Sequence, residues 1–258
     1  MQSSSRHRTI LFSCIFICMI QSLQGQQRFT ADTLKMQVEA VRFDRPPVID
    51  GNMNDEVWKK ASPVTGFRQR EPDTGEPFSQ DTEVYFGFDR DHLYVGFRCL
   101  CDPSTITAKE MARDVSLGND DRVQVILDTY LDRRNAYWFQ IGPRGSIGDA
   151  IISENGAAFN KAWDGLWTGK ANIHGNGWDI ELVIPFKTMG FEKELENWGL
   201  KLIRYHMRNQ ESGYWPVANL NSHKFQVSDA GLLTGLEGIS QGVGLDGVPY
   251  GLTGADYR

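Results

Sequence analysis

The chain has 258 residues, of which 40% are hydrophobic and 23% charged, a balance that can bury a full core and excludes a disordered chain. Its formal net charge of −6 repels a phosphate backbone, so nucleic acid is not an expected partner. Seven tryptophans offer broad polarisable faces that serve either a core or a sugar platform, and composition does not choose between them.

Residues 1–25 have the pattern of a signal peptide. Arg6, His7 and Arg8 form a basic start, Ile10 to Ile20 an apolar run too short to span a bilayer comfortably, and Gln21 to Gln27 a return to polarity with Gly25 near a cleavage point. Export follows, with Cys14 and Cys18 leaving in the leader. The mature chain then keeps Cys99 and Cys101 alone. They alternate in an apolar strand pattern, where a bond between them would be strained, so two small core residues are expected. No haem-attachment motif, zinc spacing or nucleotide-binding loop is present.

Val38 to Phe43 is the first expected strand, broken by Pro46-Pro47. Asn54 is placed to cap a short helix with Asp55 and Glu56 in its first turn. From Thr82 the apolar period becomes two: Val84, Phe86 and Phe88, then Leu93, Val95, Phe97 and Cys99, joined at Asp89-Arg90-Asp91 into a hairpin. Further strands are expected over 122–129, 136–142, 169–174, 178–184 and 198–207, with a second short helix near Phe186 to Met189. Ser212 to Pro216 has the turn-rich texture of a loop. The fold class that follows is all-β, a two-sheet antiparallel sandwich of jelly-roll type with one or two short helices, over about 36–236. Residues 237–258 form a Gly-rich tail too thin in apolar residues for a second core.

The order of these pieces resembles the family 9 carbohydrate-binding modules. The resemblance is carried by Ile49-Asp50-Gly51, Glu56 with Trp58 and Ala61, Thr82-Glu83-Val84, Leu93-Tyr94-Val95 and Asp120-Asp121 with Val123. It continues through Asp128-Thr129, Gly145 with Asp149, Trp163-Asp164-Gly165 with Trp167, Gly177-Trp178 with Glu181, Ile184-Pro185-Phe186, Trp198-Gly199 and Arg208. A narrower likeness, in Asp132 to Tyr137 and in Gly231 to Gly238 with Pro249-Tyr250, is to the subset in which such a module precedes an outer-membrane β-barrel. The tail offers at most one or two barrel strands. The resemblance implies a bacterial protein, periplasmic, outer-membrane-associated or secreted, that holds a polysaccharide or oligosaccharide in support of carbohydrate catabolism. A barrel is the implied protein partner.

A sugar needs a flat aromatic for its apolar face and fixed polar groups for its hydroxyls. The family places a stacking tryptophan late in the chain, which points to Trp215, and a second soon after the Leu93 strand. Asp102 to Ala112 departs from that pattern, with no Trp, Tyr or Phe. Trp163 and Trp167 are the available substitutes, or else parts of a structural turn. Arg113, Asp120 and Asp121 suit the orienting of hydroxyls, or alternatively a loop ion pair and strand entry. Arg208 and Asn209 are further candidates. The family also implies structural calcium, for which Glu56, Asp114, Asp128, Asp149 and Asp164, with Asp120 and Asp121, are the oxygen donors at hand.

Two rival readings stand beside the binder: a docking domain with a decayed sugar site, and a glycoside hydrolase. The hydrolase would need two carboxylates facing across a cleft, for which Asp149 and Glu154 are candidates. No hydrolase, metalloprotease or esterase motif accompanies them, and the histidines are scattered singly.

Overall fold

A computed structural model describes residues 36–216 and 222–242. The expected signal peptide over residues 1–25 and the end of the Gly-rich tail lie outside them. Fourteen strands run in chain order: β1 (Gln37–Glu39), β2 (Val41–Arg42), β3 (Arg68–Glu71), β4 (Thr82–Phe88), β5 (His92–Leu100), β6 (Arg122–Asp128) and β7 (Ala136–Ile141). They continue as β8 (Ile147–Ser153), β9 (Ala158–Asn160), β10 (Thr168–His174), β11 (Gly177–Pro185), β12 (Trp198–His206), β13 (Glu211–Trp215) and β14 (Gly231–Thr234).

One sheet has the order β1-β14-β12-β6-β7-β8-β9, with β13 and β3 branching from β12; the other runs β10-β11-β5-β4-β2. The branch arises because β12 is long. Trp198 to Leu200 pair with β14, while Leu202 to His206 pair with β13. The sandwich is therefore all-β as expected, but its sheets are mixed, since β1 pairs parallel with β14 and β2 parallel with β4. The first expected strand is split at Ala40, so its two halves serve opposite sheets.

The period-two pattern builds the centre. Val84, Phe86, Leu93, Val95, Phe97, Ile180, Leu182 and Ile184 of the smaller sheet meet Val123, Val125, Leu127, Phe139, Ile141, Leu200 and Leu202 of the larger. Each buried side chain of this size contributes about 2 kcal/mol of transfer free energy. The outer faces are covered too. Phe43, Met53, Val57 and Trp58 close over Tyr85 and Tyr94 of the smaller sheet, and Val227 with Phe225 closes over Ile126, Trp138, Ile152 and Ile203 of the larger. That double covering explains why β6 is buried at every position.

The expected helices are single 3-10 turns, Glu56–Lys60 and Phe186–Thr188. Asp55 rather than Asn54 stands at the first cap position, and its carboxylate accepts instead from Val48 N at 2.7 Å. Cys99 and Cys101 are free thiols, the first buried and the second half-buried. Burial pushes the Cys99 thiol up to about 12. Among the described residues no helix is long and apolar enough to cross a membrane.

Candidate functional site

At one end of the larger sheet's outer face, the cover provided by residues 222–230 stops and a cleft of about 780 Å³ opens, within the size range of small-ligand sites. Its floor follows from register. Arg122 pairs with Tyr205, Tyr205 with Ser212, and Ser212 with Glu71, so four adjacent strands present these side chains in one row on one face. Tyr214, two residues on from Ser212, lines the same cleft. Thr107 and Lys109 form one wall from the loop between β5 and β6, and His223 and Lys224 form another.

Arg122 is fixed from two directions. Its guanidinium carbon lies 3.6 Å from the centre of the Tyr205 ring, and its Nη1 donates to Leu117 O at 2.7 Å and Asp120 O at 2.9 Å. Among the described residues every hydrogen bond it donates comes from Nη1, which leaves the other edge of a rigid fork for a ligand. Ser212 is buried, and its Oγ is closed off from solvent without a hydrogen-bond partner. Burial pushes the Tyr214 phenol up, with Tyr205 adding to it, so Tyr214 acts as a neutral donor and acceptor. Burial, then Arg122 and Arg70, lower the Lys224 amine, and burial with Lys224 lowers His223.

Of the residues singled out in the sequence, none of the eight sugar candidates lines this cleft. Trp215 is 4% exposed and belongs to the central core. Ser212 to Trp215 is strand rather than loop, so Tyr214 faces the cleft and Trp215, one residue later, faces inward. Gly213 permits this strand because Phe78 packs where a Cβ would stand, 2.5 Å away. Asp120 and Asp121 are buried caps. Asp120 accepts from the backbone of Lys109 and Glu110 at 2.7 and 2.8 Å, and Asp121 from Met207 N at 2.8 Å with His206 Nδ1 at 3.3 Å. Arg208 and Asn209 form an exposed turn beyond the cleft, with Asn209 Nδ2 3.4 Å from Ser79 Oγ.

Arg113, Trp163 and Trp167 meet elsewhere, at a second, shallower hollow of about 620 Å³ lined by Arg113, Asp164 and Trp167. Trp167 is buried and donates through Nε1 to Asp149 at 2.6 Å; Trp163 is half-buried on Tyr137 and Phe139. Arg113 binds Asp149 at 2.5 Å, Asp114 at 3.2 Å and Asp164. Three calcium candidates are thus turned onto one guanidinium, which already supplies their positive charge. Glu56 pairs with Lys59, and Asp128 accepts from the backbone of Asp132 and Arg133 at 3.1 and 2.8 Å. Among the described residues no group of three or more His, Cys, Asp or Glu side chains is arranged to hold a metal. Asp149 is satisfied by Trp167 and Arg113, and Glu154 sits on a surface turn; they do not form a facing pair.

The residues that build the cleft, Arg122, Tyr205, Ser212, Tyr214, Lys109 and Lys224, escape a reading by tryptophans. The signal was the alternation in β6, where Arg122 and Gln124 alternate with the apolar Val123 and Val125. The segment Asp102 to Ala112 does reach the cleft, but brings Thr107 and Lys109 in place of an aromatic.

No family model matches this chain, and no curated protein does. Solved structures do resemble it. A family 9 carbohydrate-binding module from Caldicellulosiruptor kristjanssonii, in complex with cellotriose, superposes with a TM-score of 0.58 at 16% identity, covering 83% of this chain and 100% of that one. A family 9 module from the same organism, in complex with glucose, gives 0.57 at 14% identity over 77% and 95%. A Bacteroides uniformis protein described as carbohydrate-binding gives 0.60 at 10% identity over 77% and 98%. At these identities the likeness establishes the fold: this chain has the β-sandwich fold of the family 9 modules.

Proposed function

We propose that the protein is an exported carbohydrate-binding module that holds a polysaccharide or a sugar end in the Arg122–Tyr205–Tyr214 cleft, in support of carbohydrate catabolism. The observation that carries this reading is the row of Arg122, Tyr205 and Ser212 along the cleft floor. It sets an aromatic beside a planar donor fork, two of the groups that a ring of sugar hydroxyls requires. Two of the structural neighbours are complexes with cellotriose and glucose, which supports a sugar as the ligand. The cleft differs from a pair of tryptophans in offering tyrosine and arginine instead, so hydrogen bonding carries more of the affinity than stacking.

The test is a panel of soluble polysaccharides in affinity gels and titration calorimetry, with the wild type and Tyr205→Ala. Retention by at least one glycan, weakened in the variant at unchanged circular dichroism, is the expected result. Retention by none would sink the binder and leave a docking domain for an outer-membrane barrel. Release of reducing sugars would make the protein a hydrolase.

A further inference from the structure

The charge of the cleft is opposite to the charge of the chain. The protein carries a formal net charge of −6, yet Arg70, Lys109, Arg122 and Lys224 line the cleft against the carboxylates of Glu71 and Glu211 alone. Glu211 is already committed, since Ser79 N donates to it at 2.6 Å and the Ser79 hydroxyl bonds its other oxygen. Among the described residues none of the four cations has a carboxylate within ion-pair distance. Arg70 donates to Ser222 O, and Arg122 to backbone carbonyls.

Gathering four cations around a cleft that holds two carboxylates, one of them already committed, costs free energy, and it is recovered when an anion enters. Lys109 and Lys224 are exposed on opposite walls, while Arg122 is buried and rigid on the floor. A compact anion could be held by Arg122 alone; cations spread around a cleft of this volume match charge distributed along a chain. We propose that the cleft takes an anionic glycan, a polysaccharide carrying carboxylate or sulfate groups, with Arg122 as the fixed fork and Lys109 and Lys224 as the flanking charges. This rests on the carbohydrate reading above and narrows its substrate class. Tyr205 keeps the site a sugar site, because this half-buried ring on the floor offers aromatic surface that an anion by itself does not need.

The experiment is titration calorimetry of the protein with polygalacturonate, dextran sulfate, neutral dextran, cellotriose and inorganic polyphosphate, each at low and high salt. Expected is binding of polygalacturonate or dextran sulfate at least about tenfold tighter than of the neutral glycans, falling as salt rises. The tighter of the two acidic arms identifies carboxylate or sulfate as the group recognised. Lys109→Gln and Lys224→Gln, both exposed, should together weaken acidic binding about tenfold at unchanged circular dichroism. Equal or tighter binding of the neutral glycans overturns the inference and leaves the carbohydrate reading standing. Binding of none of the glycans overturns both. Polyphosphate binding as tight as any acidic glycan would reduce the site to bare anion attraction and overturn the glycan assignment.

Discussion

Arg122 and Tyr205 stand opposite one another on neighbouring strands, and the guanidinium lies flat enough on the phenol that its carbon is 3.6 Å from the ring centre. Each holds the other in place, and both form the cleft floor. Arg122→Lys keeps the charge but loses the planar stack and the fork that reaches Leu117 O and Asp120 O. The expected outcome is a loss of about 1–3 kcal/mol of stability in urea unfolding, with weakened glycan binding. A variant as stable as wild type would show that the stack does not organise the floor.

Trp215 and Tyr205 should separate folding from binding. Trp215→Ala removes a core ring and is expected to cost about 3–5 kcal/mol, lowering the thermal midpoint. Tyr205→Ala should cost much less stability and most of the affinity. Normal binding by Tyr205→Ala, with affinity lost only in a folded Trp215→Phe, would return the site to Trp215.

Gly177 begins β11 at φ +136°, and a Cβ there would stand 2.1 Å from Cys99 O. Neither the angle nor the contact can be relieved without moving the β5–β11 pairing. Gly177→Ala is therefore expected to destabilise by roughly 2–4 kcal/mol, read from the denaturant midpoint.

Glu181 is a buried carboxylate under the 43–61 segment, accepting from Trp58 Nε1 at 2.8 Å and from the backbone of Asp50 and Gly51 at 3.0 Å. Burial outweighs those bonds and raises its carboxyl above the ordinary 4.5. The folded state then keeps this proton to higher pH than the unfolded chain does. The Glu181 contribution is largest below the unfolded value and falls as pH rises through the folded one. Glu181→Gln does not titrate, so the stability of wild type relative to the variant should fall as pH rises above about 4.5 and level off beyond the folded value. A rise over that interval would reverse the sign argued here.

Arg113 serves three carboxylates at once, of which only Asp149 is buried. Its own side chain is 33% exposed, so solvent screens part of the interaction. Arg113→Ala should cost roughly 1–3 kcal/mol, and chelator should leave the wild-type thermal midpoint unchanged. A midpoint that falls on adding chelator would show that the protein holds a metal after all.

Much of the fold was legible in the sequence because it is written locally. The alternation from Val84 to Cys99, and again in β6, β11 and β12, is a property of residues two apart, and burying one face of each strand leaves a two-sheet sandwich as the economical solution. The short strands β1, β3, β9, β13 and β14 were not legible as paired strands. β1, β3 and β14 are held by partners distant in sequence, such as Met36 O accepting from Leu232 N, and all five carry too few residues for a period of their own. The site was less legible still. A tryptophan followed by proline signals a loop platform, but whether Trp215 or Tyr214 faces outward depends on the register of β13 against β12 across the Met207 to Gln210 turn and on its nonlocal pairing with β3. Only the tertiary structure brought Asp114, Asp149 and Asp164 onto one guanidinium, and only it gathered Arg70, Lys109, Arg122 and Lys224 around one cleft, because electrostatic neighbours are chosen by packing across strands and loops rather than by spacing along the chain.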